Sequence, residues 1–268
     1  MNKRYLPIGS VIKLKNNNKS IMITGYYSVE YARDLEIYDY SGCAYPEGVM
    51  IKSSCCSFNQ SDSKKFKNEY EALNELVNEN SDEKYVNVEI SEKNPIVYKT
   101  GKEILEVLKN EDAIIYFGFA ACPWCRNAVP VLLDIANEMN VEKIYYVDIL
   151  NIRDTYKFSG SIEPELTKKG TDAYYEIVKF LDKYLQKFYV NDDAGNMYDT
   201  GVKRLYAPTV VGVKNGKVVG FHEATVESQT DPYIVLTDKQ KEELKKEYKT
   251  IIETVNKKDN VCKDNTAC

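Results

Sequence analysis

Residues 113–125 read Ala-Ile-Ile-Tyr-Phe-Gly-Phe-Ala-Ala-Cys-Pro-Trp-Cys and are the most informative part of the sequence. The first seven form an almost continuous apolar run, which is typical of a strand covered on both faces. Cys122 and Cys125 follow, and a helix is predicted over about residues 123–138. The pattern therefore predicts a buried strand, a cysteine pair and a helix in succession.

The start of a helix is a chemically distinct place for a thiol. A thiolate there faces unpaired backbone N–H groups and the positive end of the helix dipole, so its pKa falls and it is more nucleophilic at neutral pH. Pro123 would take the first helical position, where its missing N–H costs nothing. We therefore expect Cys122 to attack a substrate disulfide and Cys125 to resolve the mixed disulfide.

A structural zinc site is the alternative use of the pair, and it would need four ligands. Cys55 and Cys56 are adjacent, Cys262 and Cys268 are too far apart for a second C-x-x-C, and His222 falls in a predicted strand. We therefore expect no metal at the pair. The chain has seven cysteines, an odd number that excludes a fully paired disulfide framework.

The other five cysteines carry less chemical information. Cys43, Cys55 and Cys56 are expected to be reduced and structural, although a redox relay to Cys55 or Cys56 is an alternative. Cys262 and Cys268 in the polar tail could form a labile disulfide or couple to a partner.

The rest of the second half alternates strands and helices. Strands are predicted at residues 96–98, 143–149, 208–213 and 217–221, and capped helices near Thr100 and Thr237. Lys214-Asn215-Gly216 predicts a hairpin turn between the last two strands. Residues 151–205 form a long segment with a helical stretch predicted from about Asp172 to Phe188.

Together these features resemble the thioredoxin-like family over about residues 90–256. The resemblance also rests on Pro130 within the helix, Arg126 after the second cysteine, Ala207-Pro208-Thr209 before the hairpin, and the turn itself. Residues 116–129 are most similar to bacterial thioredoxin domains of the bacteriocin-transport-accessory type. Tyr116 stands where thioredoxins have a buried aspartate, which weakens the case for efficient reduction.

The resemblance implies a thioredoxin fold with a helical insertion and protein disulfide oxidoreductase activity, with reduction favoured. The implied catalytic residues are Cys122 and Cys125, and the implied substrate-binding residues are Pro123, Trp124, Ala207, Pro208 and Thr209. Pro208 takes the family's cis-proline position, and a trans proline opening an edge strand is the alternative. The implied partners are a protein with a disulfide or thiol and an external thiol reductant or oxidant, with no cofactor.

The first part of the chain has a different character. Short strands are predicted before residue 50, and Phe66, Tyr70, Leu73, Leu76 and Val77 recur at helical spacing. About residues 4–75 resemble a bacterial domain-of-unknown-function family, number four-one-seven-six, through Tyr5–Val11, Tyr38–Gly42 and Tyr45–Gly48. This resemblance implies a small β-rich module without a known reaction.

Composition narrows the remaining possibilities. A net charge of −5 gives no electrostatic footprint for nucleic acid, and no apolar run approaches the roughly 18 residues of a membrane helix. The first residues lack the apolar segment of a signal peptide, so a cytoplasmic location is expected. The excess of lysine over arginine, with abundant Asn, Ile and Tyr, indicates an AT-rich bacterium.

The sequence thus predicts an α/β chain, α+β in its two-domain layout: a small β-rich domain over residues 1–85, a thioredoxin-like domain over 86–257 with an insertion at about 151–205, and a loose tail over 258–268. The first functional hypothesis is a thiol–disulfide oxidoreductase that its N-terminal module delivers to a client. The second is a secretion or bacteriocin accessory protein that binds a client through the thioredoxin-like groove, with redox activity secondary.

Overall fold

The computed structural model describes residues 6, 9–15, 20–31, 35–45, 55–58, 63–65, 69–79, 84–91, 93–158 and 163–257. The chain divides into two compact units that are discontinuous in sequence. The N-terminal unit comprises Met1–Asn94, Ala120–Pro130 and Asp231–Val235, and the C-terminal unit comprises Pro95–Phe119, Val131–Thr230 and Leu236–Cys268. The predicted domains, 1–85 and 86–257, are continuous segments, and the predicted loose tail lies outside the described residues.

The N-terminal unit contains an antiparallel sheet followed by one helix. Its elements are β1 (Val11–Leu14), β2 (Ser20–Tyr31), β3 (Leu35–Tyr45), β4 (Cys55–Phe58), β5 (Ser63–Lys65) and α1 (Glu69–Glu79). The strand order is β4-β3-β2-β1-β5. Strand β1 pairs antiparallel with β2, with Val11 opposite Met22. The β-rich character expected of this region is therefore correct.

The core of this sheet is apolar and aromatic. Ile12, Ile23 and Tyr40 are fully buried, and the Tyr40 ring stacks on Phe58 with ring centroids 5.4 Å apart. The hydroxyl of Tyr40 accepts the backbone N–H of Leu6 at 2.9 Å. In α1 the predicted apolar positions Tyr70, Leu73 and Val77 are buried, whereas Phe66 and the side chain of Leu76 lie outside the described residues.

The C-terminal unit alternates strands and helices around a second sheet. The elements that follow α1 are β6 (Ile96–Tyr98), α2 (Gly101–Asn110), β7 (Ala113–Gly118), α3 (Pro123–Glu138), β8 (Ile144–Asp148), β9 (Thr155–Lys157), β10 (Glu165–Lys168), α4 (Asp172–Leu181), β11 (Gln186–Asn191), β12 (Met197–Arg204), β13 (Thr209–Lys214), β14 (Lys217–Glu223) and α5 (Asp238–Asn256). Residues 123–130 of α3 belong to the N-terminal unit.

The second sheet has the strand order β14-β13-β7-β8-β6. β8 is parallel to β6 and β7, and β13 is antiparallel to β7 and β14. Every residue of β7 and β8 is buried, which confirms the interpretation of both apolar runs as covered strands. The mixed α/β class expected for the chain is likewise confirmed.

Helix boundaries in this unit follow the capping signals. Thr100 and Glu103 form a capping box at α2, and Thr237 and Gln240 form one at α5. The predicted stripe of α5, Leu244 to Val255, is buried. Helix α5 comes so near β13 that a Cβ at Gly212 would lie 2.8 Å from the nearest methyl group of Ile251, so a side chain there requires the helix to shift.

The predicted helical stretch from Asp172 to Phe188 is wrong in its second half. Helix α4 ends at Leu181, and Phe188 lies on β11, which pairs with β12. Tyr184 and Phe188 are four residues apart, a spacing that also suits a helix. The carboxylate of Asp192 accepts the N–H groups of Ala194 and Asn196, however, and closes a turn between β11 and β12. Together with β9 and β10, the insertion is two hairpins and a short helix rather than a helical insertion.

Candidate functional site

The cysteine pair opens helix α3. The backbone N–H of Cys125 donates to the Sγ atom of Cys122 at 3.2 Å, and the N–H of Arg126 donates to the carbonyl of Cys122 at 3.2 Å. Cys122 is thus the residue immediately before the first turn, as predicted. Its sulfur accepts one of the N–H groups that have no acceptor within the helix. The Cys125 residue is fully buried, and Cys122 is 4% exposed.

Pro123 and Trp124 lie between the thiols. Pro123 is the first residue of α3, where a residue without a backbone N–H fits, and it is half-buried. Trp124 is also half-buried, so part of its surface remains accessible beside the thiols. The predicted role of both residues in substrate contact stays a prediction.

Arg126, the residue after the pair, is fully buried. Its Nε donates to the carbonyl of Val86 at 2.6 Å, its Nη1 to the carbonyl of Ala120 at 3.4 Å, and its Nη2 to the Oδ1 of Asn74. The guanidinium also lies 6.0 Å from the ring centre of Tyr70 and 5.7 Å from that of Tyr85. A buried charged side chain needs an acceptor for each of its N–H donors, because a buried donor without an acceptor costs free energy of folding.

Asn74 of α1 is the centre of a small network in the N-terminal unit. Its Nδ2 donates to the carbonyl of Val88 at 2.7 Å, and its Oδ1 accepts the N–H of Val88 at 3.3 Å. The same Oδ1 accepts from Arg126. One amide of α1 therefore holds both the segment 84–91 and the first turn of α3.

The next residue of α3, Asn127, fixes the segment Asp231–Val235. Its Nδ2 donates to the carbonyl of Pro232 at 2.8 Å, and the ring of Tyr233 meets Tyr85 edge to face with centroids 5.5 Å apart. Tyr233, Ile234 and Val235 are nevertheless 47%, 64% and 55% exposed. We call these three the apolar loop, and such an exposed group is typical of an interaction site.

Ala207, Pro208 and Thr209 lie in the C-terminal unit. The Ala207–Pro208 peptide bond is cis, as expected. Pro208 and Thr209 are buried, the Thr209 hydroxyl donates to the carbonyl of Tyr206 at 2.8 Å, and the Pro208 carbonyl accepts the N–H of Ala224 at 2.8 Å. Glu223 lies on β14 opposite Thr209, and burial raises the pKa of its carboxyl group.

Tyr116 and His222 both pack against aromatic rings. Tyr116, on β7, is 1% exposed and stacks on Tyr146 with centroids 5.4 Å apart. His222 contacts the carbonyl of Thr225 through Nε2 at 2.8 Å and meets the Tyr248 ring edge to face. Its contacts agree with the interpretation of His222 as an ordinary strand residue.

A buried carboxylate that sequence reasoning missed ends β8. Asp148 is 3% exposed and accepts the N–H of Leu150 at 2.8 Å and the Nδ2 of Asn151 at 3.3 Å. Burial raises the pKa of Asp148 to about 6, against the opposing effects of the Leu150 N–H and the charges of Arg153 and Lys168. Only its position within a predicted buried strand could have indicated it.

The other cysteines are partly described. Cys43 is buried and Cys56 is half-buried, while the side chain of Cys55, and Cys262 and Cys268 altogether, lie outside the described residues. Within the described ranges, His, Cys, Asp and Glu side chains form no group of three or more that could hold a metal ion. Over the same ranges, no helix has both the length and the apolarity needed to cross a membrane.

The sequence indicated Arg126 as a family-typical basic residue but not that it is buried. Asn74 and Val86, which bind its side chain, are 52 and 40 residues away along the chain. No local pattern connects positions that far apart, so only the folded chain identifies these contacts.

Comparison with known proteins gives one family. Residues 5–76 match the family model described as "Domain of unknown function (DUF4176)". No curated protein and no solved structure matches the chain. The match confirms the resemblance predicted for the N-terminal segment, and it includes Tyr70 and Asn74 of α1.

Proposed function

We propose that the chain is a thiol–disulfide oxidoreductase of thioredoxin-like fold that acts on protein disulfides. The observation that carries the proposal is the hydrogen bond from the Cys125 N–H to the Cys122 Sγ at 3.2 Å. A sulfur that accepts a helix-start N–H is stabilised as a thiolate, and the thiolate is the nucleophile of disulfide exchange.

The chemistry needs only the two thiols and a substrate disulfide. The Cys122 thiolate attacks one substrate sulfur, forms a mixed disulfide and releases the other sulfur as a thiolate. The Cys125 thiolate then attacks the Cys122 sulfur, which forms the Cys122–Cys125 disulfide and releases the second substrate thiol. Two electrons pass to the substrate, and an external dithiol restores the reduced pair.

The sheet of the C-terminal unit supports the fold part of the proposal. A strand order of β14-β13-β7-β8-β6, with three parallel strands and an antiparallel hairpin, agrees with the element order that the resemblance implies. Trp124, Pro123, Ala207, Pro208 and Thr209 are the proposed substrate contacts.

Reduction of insulin by dithiothreitol, followed by turbidity, tests the proposal. The wild-type protein should accelerate the reaction, and Cys122→Ser should lower the rate to that of dithiothreitol alone. Cys125→Ser should accumulate a mixed disulfide visible by mass spectrometry, because the resolving thiol is absent. Cys43→Ser is the matched control and should behave as wild type. Undiminished catalysis by Cys122→Ser would contradict the proposal.

A second candidate is a client-binding protein, such as a secretion or bacteriocin accessory protein, in which redox chemistry is secondary. The apolar loop favours it, because three consecutive apolar residues are exposed and Asn127 holds their segment to α3. Reduced, carboxymethylated lactalbumin is a suitable probe, since it is unfolded and has no disulfide. Binding that survives Cys122→Ser/Cys125→Ser but is lost in Ile234→Asp/Val235→Asp would favour this candidate over the first.

A further inference from the structure

We propose that Arg126 is a positioning residue for the thiol pair, and that through it helix α1 holds the loop before Cys122 in its reactive geometry. The reactivity in question is that of the proposed oxidoreductase, so the chemical meaning of the inference rests on the proposed function. The geometry itself belongs to the N-terminal unit alone.

The side chain of Arg126 bridges the two ends of the motif. It leaves α3 directly after Cys125, and its Nη1 donates to the carbonyl of Ala120, two residues before Cys122. The loop that enters the motif is therefore tied to the turn that leaves it. A change in this tie moves the Cys122 sulfur relative to the Cys125 N–H, which it accepts at 3.2 Å.

The guanidinium is in turn fixed by residues far away in sequence. Asn74 of α1 accepts from Nη2, and the carbonyl of Val86 accepts from Nε at 2.6 Å. Asn74 is itself fixed by two hydrogen bonds with Val88. The planar fork of arginine reaches the three acceptors in different directions, which a lysine ammonium on a flexible stem cannot reproduce.

Through these contacts the segment that matches the domain of unknown function has a role in the thiol site. Tyr70 and Asn74 both lie within residues 5–76, and both contact the Arg126 guanidinium. The segment then supports the reactive loop directly, which is a different role from delivering a separate catalytic domain to a client.

Alkylation of Cys122 by iodoacetamide tests the proposal in the full chain. In a Cys125→Ser background, mass spectrometry of the peptide that carries Cys122 gives its rate constant at each pH. Arg126→Met should lower the rate at pH 7 about tenfold and raise the midpoint of the pH profile by about one unit, because a displaced sulfur loses its N–H donor. The alkylation rate of Arg126→Lys should lie between those of Arg126→Met and the parent, and Asn74→Ala should slow the reaction about threefold.

Arg204→Met is the matched control, because Arg204 is also a buried arginine but contacts Asp154 and Phe188 in the C-terminal unit. It should lower the unfolding midpoint and leave the Cys122 profile unchanged. If it slows alkylation as much as Arg126→Met, general loosening explains the effect and the proposal is wrong.

A parent-like rate and midpoint in Arg126→Met, with only a lower unfolding midpoint, would show a purely structural arginine and overturn the proposal. If circular dichroism shows that Arg126→Met does not fold, Arg126→Lys and Asn74→Ala test the proposal instead. Parent-like alkylation profiles in both of these variants would overturn the proposal. Alkylation needs no exchange activity, so failure of wild-type insulin reduction with a shifted profile overturns the proposed function alone.

Discussion

Two buried arginines, one in each unit, are held in different ways. Arg204 pairs with the carboxylate of Asp154, donates to the Asp154 carbonyl at 2.8 Å and lies 3.5 Å from the ring centre of Phe188. The acceptors described for Arg126 are the carbonyls of Val86 and Ala120 and the amide of Asn74.

The difference concerns what each arginine connects. The Arg204 pair joins the end of β12 to a residue just before β9, and both belong to the insertion, so its loss should affect the stability of the C-terminal unit. The Arg126 contacts join α1 to the residues on either side of the thiols, so its loss should affect reactivity. The two sets of contacts are therefore separable by experiment.

The largest effect is expected from Asp154→Ala. Removing one partner of a buried ion pair leaves an uncompensated charge, so the free energy of unfolding should fall by about 3–5 kcal/mol. Urea unfolding followed by circular dichroism measures it. The double variant Asp154→Leu/Arg204→Met should recover most of the loss, because no buried charge remains. A fall below about 1 kcal/mol in the single variant would refute the description of this pair as buried and structural.

Asn74→Ala, which removes a contact of Arg126, should lower stability by less than Asp154→Ala does. It removes the Oδ1 that Arg126 and the Val88 N–H share, so the free energy of unfolding should fall by about 1–3 kcal/mol. Hydrogen exchange at the Val88 amide should become faster. Asn110→Ala is the matched control, because Asn110 is an exposed residue at the end of α2 that contacts Glu106, and it should change stability by less than about 0.5 kcal/mol. Equal losses in the two variants would contradict the network.

Asp148→Asn should change how the stability of the C-terminal unit depends on pH. The folded pKa of Asp148, about 6, lies above the ordinary value of about 3.9, so the folded state binds more protons than the unfolded state between these pH values. Ionisation of Asp148 therefore lowers stability as pH rises from about 4 to 6. The stability of Asp148→Asn relative to wild type should rise over that interval by about 2 kcal/mol. Urea unfolding at several pH values measures this difference, and a constant difference would contradict the prediction.

Much of the local structure could be predicted because its signals are local. The apolar run at β7, the caps at Thr100 and Thr237, and the positive φ angles of 50° at Asn215 and 67° at Gly216 in the β13–β14 turn all follow from neighbouring residues. The helix-start position of Cys122 followed for the same reason. The prediction failed at Phe188, where helical spacing and strand pairing compete and pairing with β12 prevails.

The burial of Arg126 could not be predicted, because an arginine after a helix start is usually exposed. Its burial depends on α1 and on the segment 84–91, which supply acceptors from more than 30 residues away. The raised pKa of Asp148 depends in the same way on burial, which a sequence does not display.

The sequence by itself determined the order of the strands and helices in the second half outside residues 151–205, the helix-start position of the cysteines and the β-rich character of the N-terminal segment. Hydrophobic period, caps and turn residues act over a few positions, and these features need nothing more. Only the tertiary structure decided which segments form each unit, that the Asn74 amide holds Arg126, and that Asp154 neutralises Arg204. Those contacts join residues that are distant along the chain, and only the compact fold can bring them within hydrogen-bonding distance.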